Sequence, residues 1–195
     1  YSYPITDYQR LSFGVSYQRS QLLASAGSTA QAQEWVANNG TQFTEVVDNR
    51  YRFSGTEFDS FEMLLSWQFD SRNASLFPTR GTRQQLFLST VVPGSSVEYF
   101  QARYLFTKYI PITQKWLIRL NAETGITQAM GDTTAAPPYK QFYGGGPQSV
   151  RGFKESYLGP RDSRGRPYGG NMLVAGQAEL IVPLPEAFAS QARAS

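Results

Sequence analysis

The sequence predicts an all-β chain that forms a sector of an antiparallel, up-and-down transmembrane β-barrel with long extracellular loops. Three observations lead to this fold class. Aromatic residues make up 14% of the chain and charged residues only 17%, against roughly 25% charged residues in soluble domains. Mean hydropathy is nonetheless polar, at −0.40. Several segments alternate apolar and polar residues and are joined by alternating long and short connections, as expected of strands with one apolar and one polar face.

The absence of histidine and cysteine removes whole classes of function. Ser-His-Asp and Cys-His catalysis, zinc sites with His or Cys ligands and haem ligation by His cannot be built from this chain. No run of about 18 apolar residues is present, which excludes a transmembrane helix. The net charge of +3 is mild and the basic residues are scattered. We therefore expect no catalytic residues, no metal, no cofactor and no nucleic-acid partner.

The first strand is expected near residues 10–24. Every second residue from Leu11 to Tyr17 is apolar, and the residues between them are polar or glycine, so one face of the strand is apolar. Residues 25–57 break this pattern with Ser, Thr, Gly, Asn and Gln. We expect a long loop there, of the kind found on the outer side of a membrane barrel.

A short helix is expected inside this first long loop. It would run from Thr29 to Asn38, with Ser28 as its N-cap and Gly40 as its terminator. Trp35 on this helix could touch lipid headgroups, or the helix could pack on its own loop. The sequence leaves both interpretations open.

The clearest strand lies near residues 58–72. Its alternating apolar residues are Phe61, Met63, Leu65, Trp67 and Phe69. Polar residues oppose most of them, as expected of a wall between lipid and water. The connection that follows carries Pro78 and Gly81 in turn positions.

Three further strands are expected near residues 82–92, 97–110 and 115–127. Arg119 and Glu123 lie on the polar face of the last of these. A dry sandwich core would have to neutralise such charges, so we expect a water-filled interior instead.

The last strand is expected near residues 171–183, with Gln177 and Glu179 on its polar face. The second long loop would then be residues 128–170. Six strands cannot close a barrel of this kind, for which eight is the usual minimum. We therefore expect residues 1–185 to be part of a larger barrel and residues 186–195 to be a tail at the end of a fragment.

A glycine bend precedes a single arginine in the second long loop. Gly144, Gly145 and Gly146 permit positive φ and close backbone approach, so this loop is expected to fold tightly against another part of the protein. No Gly-Lys-Ser/Thr follows, which disfavours a phosphate-binding loop. Arg151, taken alone, is more often a solvated loop residue.

Several motifs follow one another in a fixed order. They are Phe77-Pro78-Thr79-Arg80-Gly81-Thr82-Arg83, Phe142-Tyr143-Gly144-Gly145-Gly146, Val150-Arg151-Gly152-Phe153, Gly159-Pro160 and Gly169-Gly170-Asn171. This set resembles the BamA family, the central barrels of the bacterial β-barrel assembly machinery, within the superfamily of outer-membrane insertases and polypeptide transporters. The resemblance covers most of residues 1–185 and implies six to eight middle strands of a sixteen-stranded barrel.

The resemblance also implies a role for the arginine motif. In that family the arginine of the long loop folds into the barrel lumen and pairs with acidic residues on the inner wall. This implies that Val150, Arg151, Gly152 and Phe153 lie in the lumen and that Glu179 is one partner of the arginine. A guanidinium suits the geometry of a carboxylate. The second acidic partner of that family lies on the following strand, outside this chain. In a wet lumen the pair should contribute about 1 kcal/mol to stability, so it would mainly fix the position of the loop.

The function implied is non-enzymatic assembly and insertion of β-barrel proteins into the bacterial outer membrane. The implied partners are unfolded outer-membrane protein clients, the lipid bilayer and, through periplasmic domains, the accessory lipoproteins of the assembly machinery. A polypeptide-secreting transporter of the same superfamily is an alternative. A passive porin and a soluble β-sandwich lectin are alternatives from other classes.

Overall fold

In the computed structural model, the described residues are 1–47, 51–113, 116–147 and 149–182, and they form one open, eight-stranded antiparallel sheet and one α-helix. The elements are β1 (Ser2–Thr6), β2 (Gln9–Ala24), α1 (Ala30–Asn38), β3 (Thr41–Val47), β4 (Tyr51–Asp70), β5 (Gly81–Val91), β6 (Tyr99–Pro111), β7 (Leu117–Ala129) and β8 (Met172–Ile181). The sheet order is β1-β2-β4-β5-β6-β7-β8, with β3 paired to β4. No helix within these ranges is both long enough and apolar enough to cross a membrane.

The sheet has an apolar outer face and an inner face that carries most of the polar and charged residues. On β8, Met172, Val174 and Leu180 are 69%, 78% and 54% exposed, whereas Gln177 and Glu179 on the other face are half-buried. Strand pairing aligns these faces across the sheet. One outer row of cross-strand partners is Phe13, Leu65, Leu88, Ala102, Ile126 and Met172. Such a continuous apolar surface on a single-layer sheet is typical of a wall that faces lipid.

The predicted strands are present, and most ends are close to the prediction. The strands expected from residues 10, 82, 97, 115 and 171 begin at Gln9, Gly81, Tyr99, Leu117 and Met172. The strand expected from residue 58 begins much earlier, at Tyr51. The predicted 186–195 tail lies outside the described residues.

The prediction that residues 25–57 form a loop is wrong. Besides α1, this stretch contains β3 and the first third of β4, which pair in register from Thr41–Glu57 to Val47–Tyr51. β4 has 20 residues and is therefore about 66 Å long at about 3.3 Å per residue, far more than the 9–11 residues or so that cross a bilayer. Polar residues dominate here because this part of the hairpin extends beyond the membrane into water. Phe43 packs its ring on Gly55, where a Cβ would overlap it.

Helix α1 and the adjoining strand ends form the apolar core of the described chain. Thr29, rather than the predicted Ser28, is the N-cap, and its side chain accepts a hydrogen bond from Ala32 N at 3.3 Å. We call this cluster the cap core. Its buried residues are Ala24, Trp35, Val36, Phe58, Val91, Val97 and Tyr99. Trp35 is 2% exposed and packs on Phe58 of β4 and on Tyr139 of the connection between β7 and β8. It therefore does not face lipid headgroups, and its ring partners lie outside its own loop. The cap core lies at the end of the sheet that carries the long connections.

Candidate functional site

The connection between β7 and β8, residues 130–171, folds back over the inner face of the sheet. Gln101 Nε2 donates to the carbonyl oxygen of Lys140 at 2.8 Å. Gln177 Nε2 donates to the carbonyl oxygens of Pro147 at 3.2 Å and Ser149 at 2.7 Å. Both glutamines are on the polar faces of their strands, so side chains of the wall hold the backbone of the loop. We call residues 139–153 the inner segment.

The predicted glycine bend lies in this inner segment. Gly145 and Gly146 have φ of +105° and +93°, and a Cβ on Gly145 would overlap the carbonyl oxygen of Lys154. Ser149 Oγ closes the bend, because it accepts from Gly145 N at 2.8 Å and donates to Gly145 O at 3.0 Å. Gly144 exchanges two backbone hydrogen bonds with Leu158, at 3.3 and 2.9 Å. The backbone conformation therefore requires glycine at positions 145 and 146, and the lack of space for a Cβ also requires it at position 145.

An aromatic ring seats the start of the bend on the wall. Phe142 packs directly on Gly125 of β7, where a Cβ would lie 2.5 Å from Phe142 Cζ. The backbones of Phe142 and Gly170 exchange hydrogen bonds at 2.9 and 2.8 Å. A glycine in a strand marks a place where another group approaches closely, and here that group is the ring of Phe142.

Arg151 meets the predicted partner Glu179 together with a second guanidinium. Arg151 Nη2 lies 2.8 Å from Glu179 Oε1, and Arg119 Nη2 donates to Glu179 Oε2. Arg119 and Glu179 are direct cross-strand partners on β7 and β8. The side chain of Glu179 is 12% exposed and that of Arg151 is 65% exposed. The carboxylate therefore lies between two cations, an arrangement that neutralises it with charge to spare.

The other residues of the arginine motif do not contact the wall in the same way. Val150 forms an isolated β-bridge with Gly146. Gly152 has φ of +87°, and a Cβ there would meet nothing within 4 Å. Phe153 is 54% exposed, although its carbonyl oxygen accepts from Gly146 N at 3.1 Å. Within the described residues, the structure brings Arg151 to Glu179 and leaves the ring of Phe153 in the open.

Comparison with known proteins identifies the wall. The sequence matches the Omp85 superfamily domain over residues 1–195. The chain belongs to the Omp85 superfamily. The resemblance to the BamA family is confirmed, and the sheet is a sector of an outer-membrane β-barrel. The inner face is therefore the lumen side of an Omp85 barrel in the bacterial outer membrane.

Individual relatives are similar over most of this chain. The outer membrane protein assembly factor BamA of Neisseria meningitidis serogroup B is 29% identical over 191 residues, which is 95% of this chain and 23% of that protein. The sorting and assembly machinery component 50 homolog of Mus musculus is 32% identical over 120 residues, 60% of this chain and 24% of that protein. The chain thus spans about a quarter of the length of these curated relatives.

A solved structure is similar in fold. The crystal structure of BamA from Haemophilus ducreyi lacking POTRA domains 1-3 matches with a TM-score of 0.81 at 24% identity, covering 95% of this chain and 36% of that one. At this level of identity the similarity concerns the fold. The open sheet of the Omp85 chain is accordingly part of a larger barrel.

The lumen side of this Omp85 sector carries many charged side chains. A cavity of about 530 Å³ lies beside the inner segment, and its lining includes Arg83, Arg103, Arg119, Arg151 and Glu123. Arg103 and Glu123 form an ion pair at 2.8 Å. The carboxylates of Glu123 and Glu179 face guanidiniums, so charge-assisted hydrogen bonds can fix the positions of these side chains.

Sequence reasoning missed Arg119 as a partner of Glu179. It placed Arg119 on the polar face of its strand, but the 42 residues between β7 and β8 conceal which residues face each other. A hairpin with a two-residue turn would have fixed the register. The sequence indicated only that Arg119 and Glu179 both lie on the inner face, and this does not determine whether they pair.

Proposed function

We propose that this chain is the barrel sector of a factor that assembles β-barrel proteins and inserts them into the bacterial outer membrane without catalysis. Membership of the Omp85 superfamily supports this, as do relatives named as assembly factors. Because the chain spans about a quarter of those relatives, the activity belongs to the complete protein. The observation that carries the proposal is the inner segment, held against the lumen wall with Arg151 on Glu179.

The inner segment would brace the wall while other parts of the barrel engage the client. A client strand can pair with an exposed strand edge through backbone hydrogen bonds. For such pairing the wall must hold its register. The loop is hydrogen-bonded to β6 and β8 and packs on β7, so it connects neighbouring strands. Arg151 and Glu179 then form the contact that sets where the bend lies in the lumen.

The proposed partners follow from the surfaces of the complete protein. The apolar outer row fits the hydrocarbon of a bilayer. Unfolded outer-membrane proteins would be the clients, and accessory lipoproteins of the assembly machinery would bind through periplasmic domains. The chain itself would use no nucleotide, metal or other cofactor.

A depletion experiment tests the role of the contact. The complete protein with Arg151→Ala is expressed while the cell's wild-type copy is depleted, and folded client barrels are measured by their heat-dependent gel mobility. We expect fewer folded clients at an unchanged level of the variant itself. Lys154→Ala removes a positive charge three residues away that makes no ion pair in the described structure, and it should leave assembly unchanged. Equal client folding with Arg151→Ala would refute the role of this contact.

Reconstitution separates the two activities of this superfamily. The purified complete protein is placed in phospholipid vesicles with either an unfolded barrel client or a soluble polypeptide carrying a secretion signal. Insertion of the client into the bilayer supports the assembly proposal. Delivery of the soluble polypeptide across the bilayer, without client insertion, would favour the secretion transporter instead.

A further inference from the structure

A second charged contact holds the inner segment near its beginning. Lys140 Nζ lies 2.9 Å from Glu62 Oε1, with the two side chains 24% and 13% exposed. Tyr99 Oη donates to the same carboxylate oxygen at 3.3 Å, and Lys140 Nζ lies 5.2 Å from the centre of the Tyr99 ring. Gln101 Nε2 holds the carbonyl oxygen of Lys140. Three wall side chains from β4 and β6 therefore converge on one loop residue.

This contact is better shielded from water than the Arg151 contact. The Lys140 side chain is 24% exposed, whereas that of Arg151 is 65% exposed. Screening by water and salt weakens exposed pairs most. Removing Lys140 would also leave Glu62 without a cation beside the buried ring of Tyr99, which costs more than losing an exposed pair. Lys140 should therefore hold its part of the segment more firmly than Arg151 holds the bend.

The two contacts lie on different parts of the wall. Glu62 is on β4 and Glu179 is on β8, four strand positions apart in the sheet order, or about 19 Å at about 4.8 Å per strand. Charges separated by more than about 8 Å of water are largely screened at physiological salt. Substitutions at sites this far apart usually have additive effects. Each contact should therefore act on its own end of the inner segment.

The neighbouring residue connects the beginning of the segment to the cap core. The Tyr139 ring stacks on Phe58 with centroids 6.0 Å apart and planes 7° apart. It also meets Trp35 edge to face at 6.4 Å. Residues 139 and 140 thus occupy the junction at which the cap core ends and the polar lumen wall begins.

We infer that Lys140, through Glu62, is a positioning residue that anchors the first half of the inner segment independently of Arg151. This inference rests on the proposed role of the inner segment as a lumen brace. It assigns the segment two anchors, so that releasing Arg151 frees the bend and leaves residues 139–143 docked. A loop held in this way can change position in two stages.

Site-resolved proteolysis of the complete protein in phospholipid vesicles tests this inference. Chymotrypsin cleaves after aromatic residues, and the second long loop offers Phe142 and Tyr143 near the first anchor and Phe153 and Tyr157 near the second. Lys140→Met keeps an apolar stem and removes the charge. We expect cleavage after Phe142 and Tyr143 to accelerate by about tenfold, the factor that corresponds to loss of one charge-assisted hydrogen bond. Cleavage at the distal pair of sites should change by less than about twofold.

Charge exchange provides the decisive control. Glu62→Lys and Lys140→Glu should each release the proximal sites, and the double variant should restore slow cleavage. Lys154→Met is the matched control and should leave the proximal sites unchanged. Wild-type cleavage in Lys140→Met would overturn the inference, as would equal release of both pairs of sites. If a single variant fails to reach the membrane, the double variant provides the test. Fast cleavage at the proximal sites in the double variant would also overturn the inference. Cleavage is read without a client, so a failure of the assembly proposal leaves this test intact.

Discussion

The cap core and the inner segment cover the same lumen wall, but different forces hold them there. In the cap core, Val36 and Trp35 are 0% and 2% exposed, and Trp35 packs edge to face on Phe58 at 5.4 Å. In the inner segment, Arg151 is 65% exposed, and the backbone is held by side chains such as Gln177. Apolar burial supplies most of the free energy of folding, whereas exposed charges supply little. The cap core should therefore be the more stable of the two regions, and the inner segment the region that is positioned precisely but held weakly.

The largest expected effect of a substitution is on the stability of the cap core. Trp35→Ala removes a buried ring and the hydrogen bond from Trp35 Nε1 to Ala135 O at 2.9 Å, which should cost about 3–5 kcal/mol of local stability. Amide hydrogen exchange should accelerate in α1 and around residues 134–139. Trp116→Ala is the control, because Trp116 is 47% exposed at a short turn and should leave exchange in the cap unchanged. Unchanged exchange in α1 with Trp35→Ala would show that the cap is not held by this core.

A smaller effect is expected where the inner segment touches the wall. Gly125→Ala places a methyl group 2.5 Å from Phe142 Cζ, so the ring must move, at a cost of about 1–3 kcal/mol. Exchange of the Phe142 and Gly170 amides should accelerate, since these residues bond to each other. Gly176→Ala on the neighbouring strand is the matched control, because its Cβ would lie 3.9 Å from the nearest atom. Equal exchange in both variants would argue against the ring contact.

The alternation of apolar residues was enough to predict the wall. Apolar residues repeat with period two from Phe61 to Phe69, and from Met172 to Leu180 with Gly176 as the interruption, because lipid contacts one face and water the other. The hairpin of β3 and β4 was missed because it extends beyond the membrane, where no lipid contacts its outer face, and because its buried inner residue Thr56 is polar. Polar residues then fill both faces, and the sequence reads as a loop.

Only those residues of the site were predicted that belong to a family motif or whose position on the inner face follows from strand alternation. Glu179 was assigned through its inward position and the resemblance, whereas Arg119 and Lys140 required knowledge of register and of a long loop's path. Phe142 and Gly125 show the same limit. A ring resting on a glycine depends on three-dimensional proximity, which neither residue signals alone.

Loss of the Arg151 contact should change position more than stability. Arg151→Ala should cost about 1 kcal/mol or less, since the arginine is largely exposed. The bend should nevertheless leave the wall more often, and protease cleavage between Gly144 and Gly170 should increase in the complete protein. Raising the salt concentration should produce part of the same increase in the wild type. Unchanged cleavage in Arg151→Ala would mean that Glu179 is fully satisfied by Arg119.

The smallest effect concerns a charged contact between the second long loop and the loop before α1. Asp162 Oδ1 accepts from the N–H of Arg166 at 2.8 Å and of Arg164 at 2.9 Å, and Oδ2 accepts from Arg166 Nε at 2.9 Å. Arg166 Nη2 in turn donates to the carbonyl oxygen of Ser28 at 2.8 Å. The pKa of the Asp162 carboxyl lies below its ordinary value, because the hydrogen bonds from the Arg166 backbone, the Arg166 guanidinium and the Arg164 backbone favour the charged form.

A lowered pKa in the folded state fixes the direction of the pH dependence. The contribution of Asp162 is fully present above the ordinary aspartate pKa of about 4, and is lost as the pH falls through that value and then through the lower folded pKa. Exchange of the Arg164 and Arg166 amides should therefore be slow at neutral pH and, after correction for intrinsic rates, less protected in acid. Asp162→Asn should show the weaker protection already at neutral pH, with no further loss below it, because it can no longer ionise. Amide protection that stays constant in acid for the wild type would mean that the backbone turn, and not the carboxylate, holds Arg166 against the loop before α1.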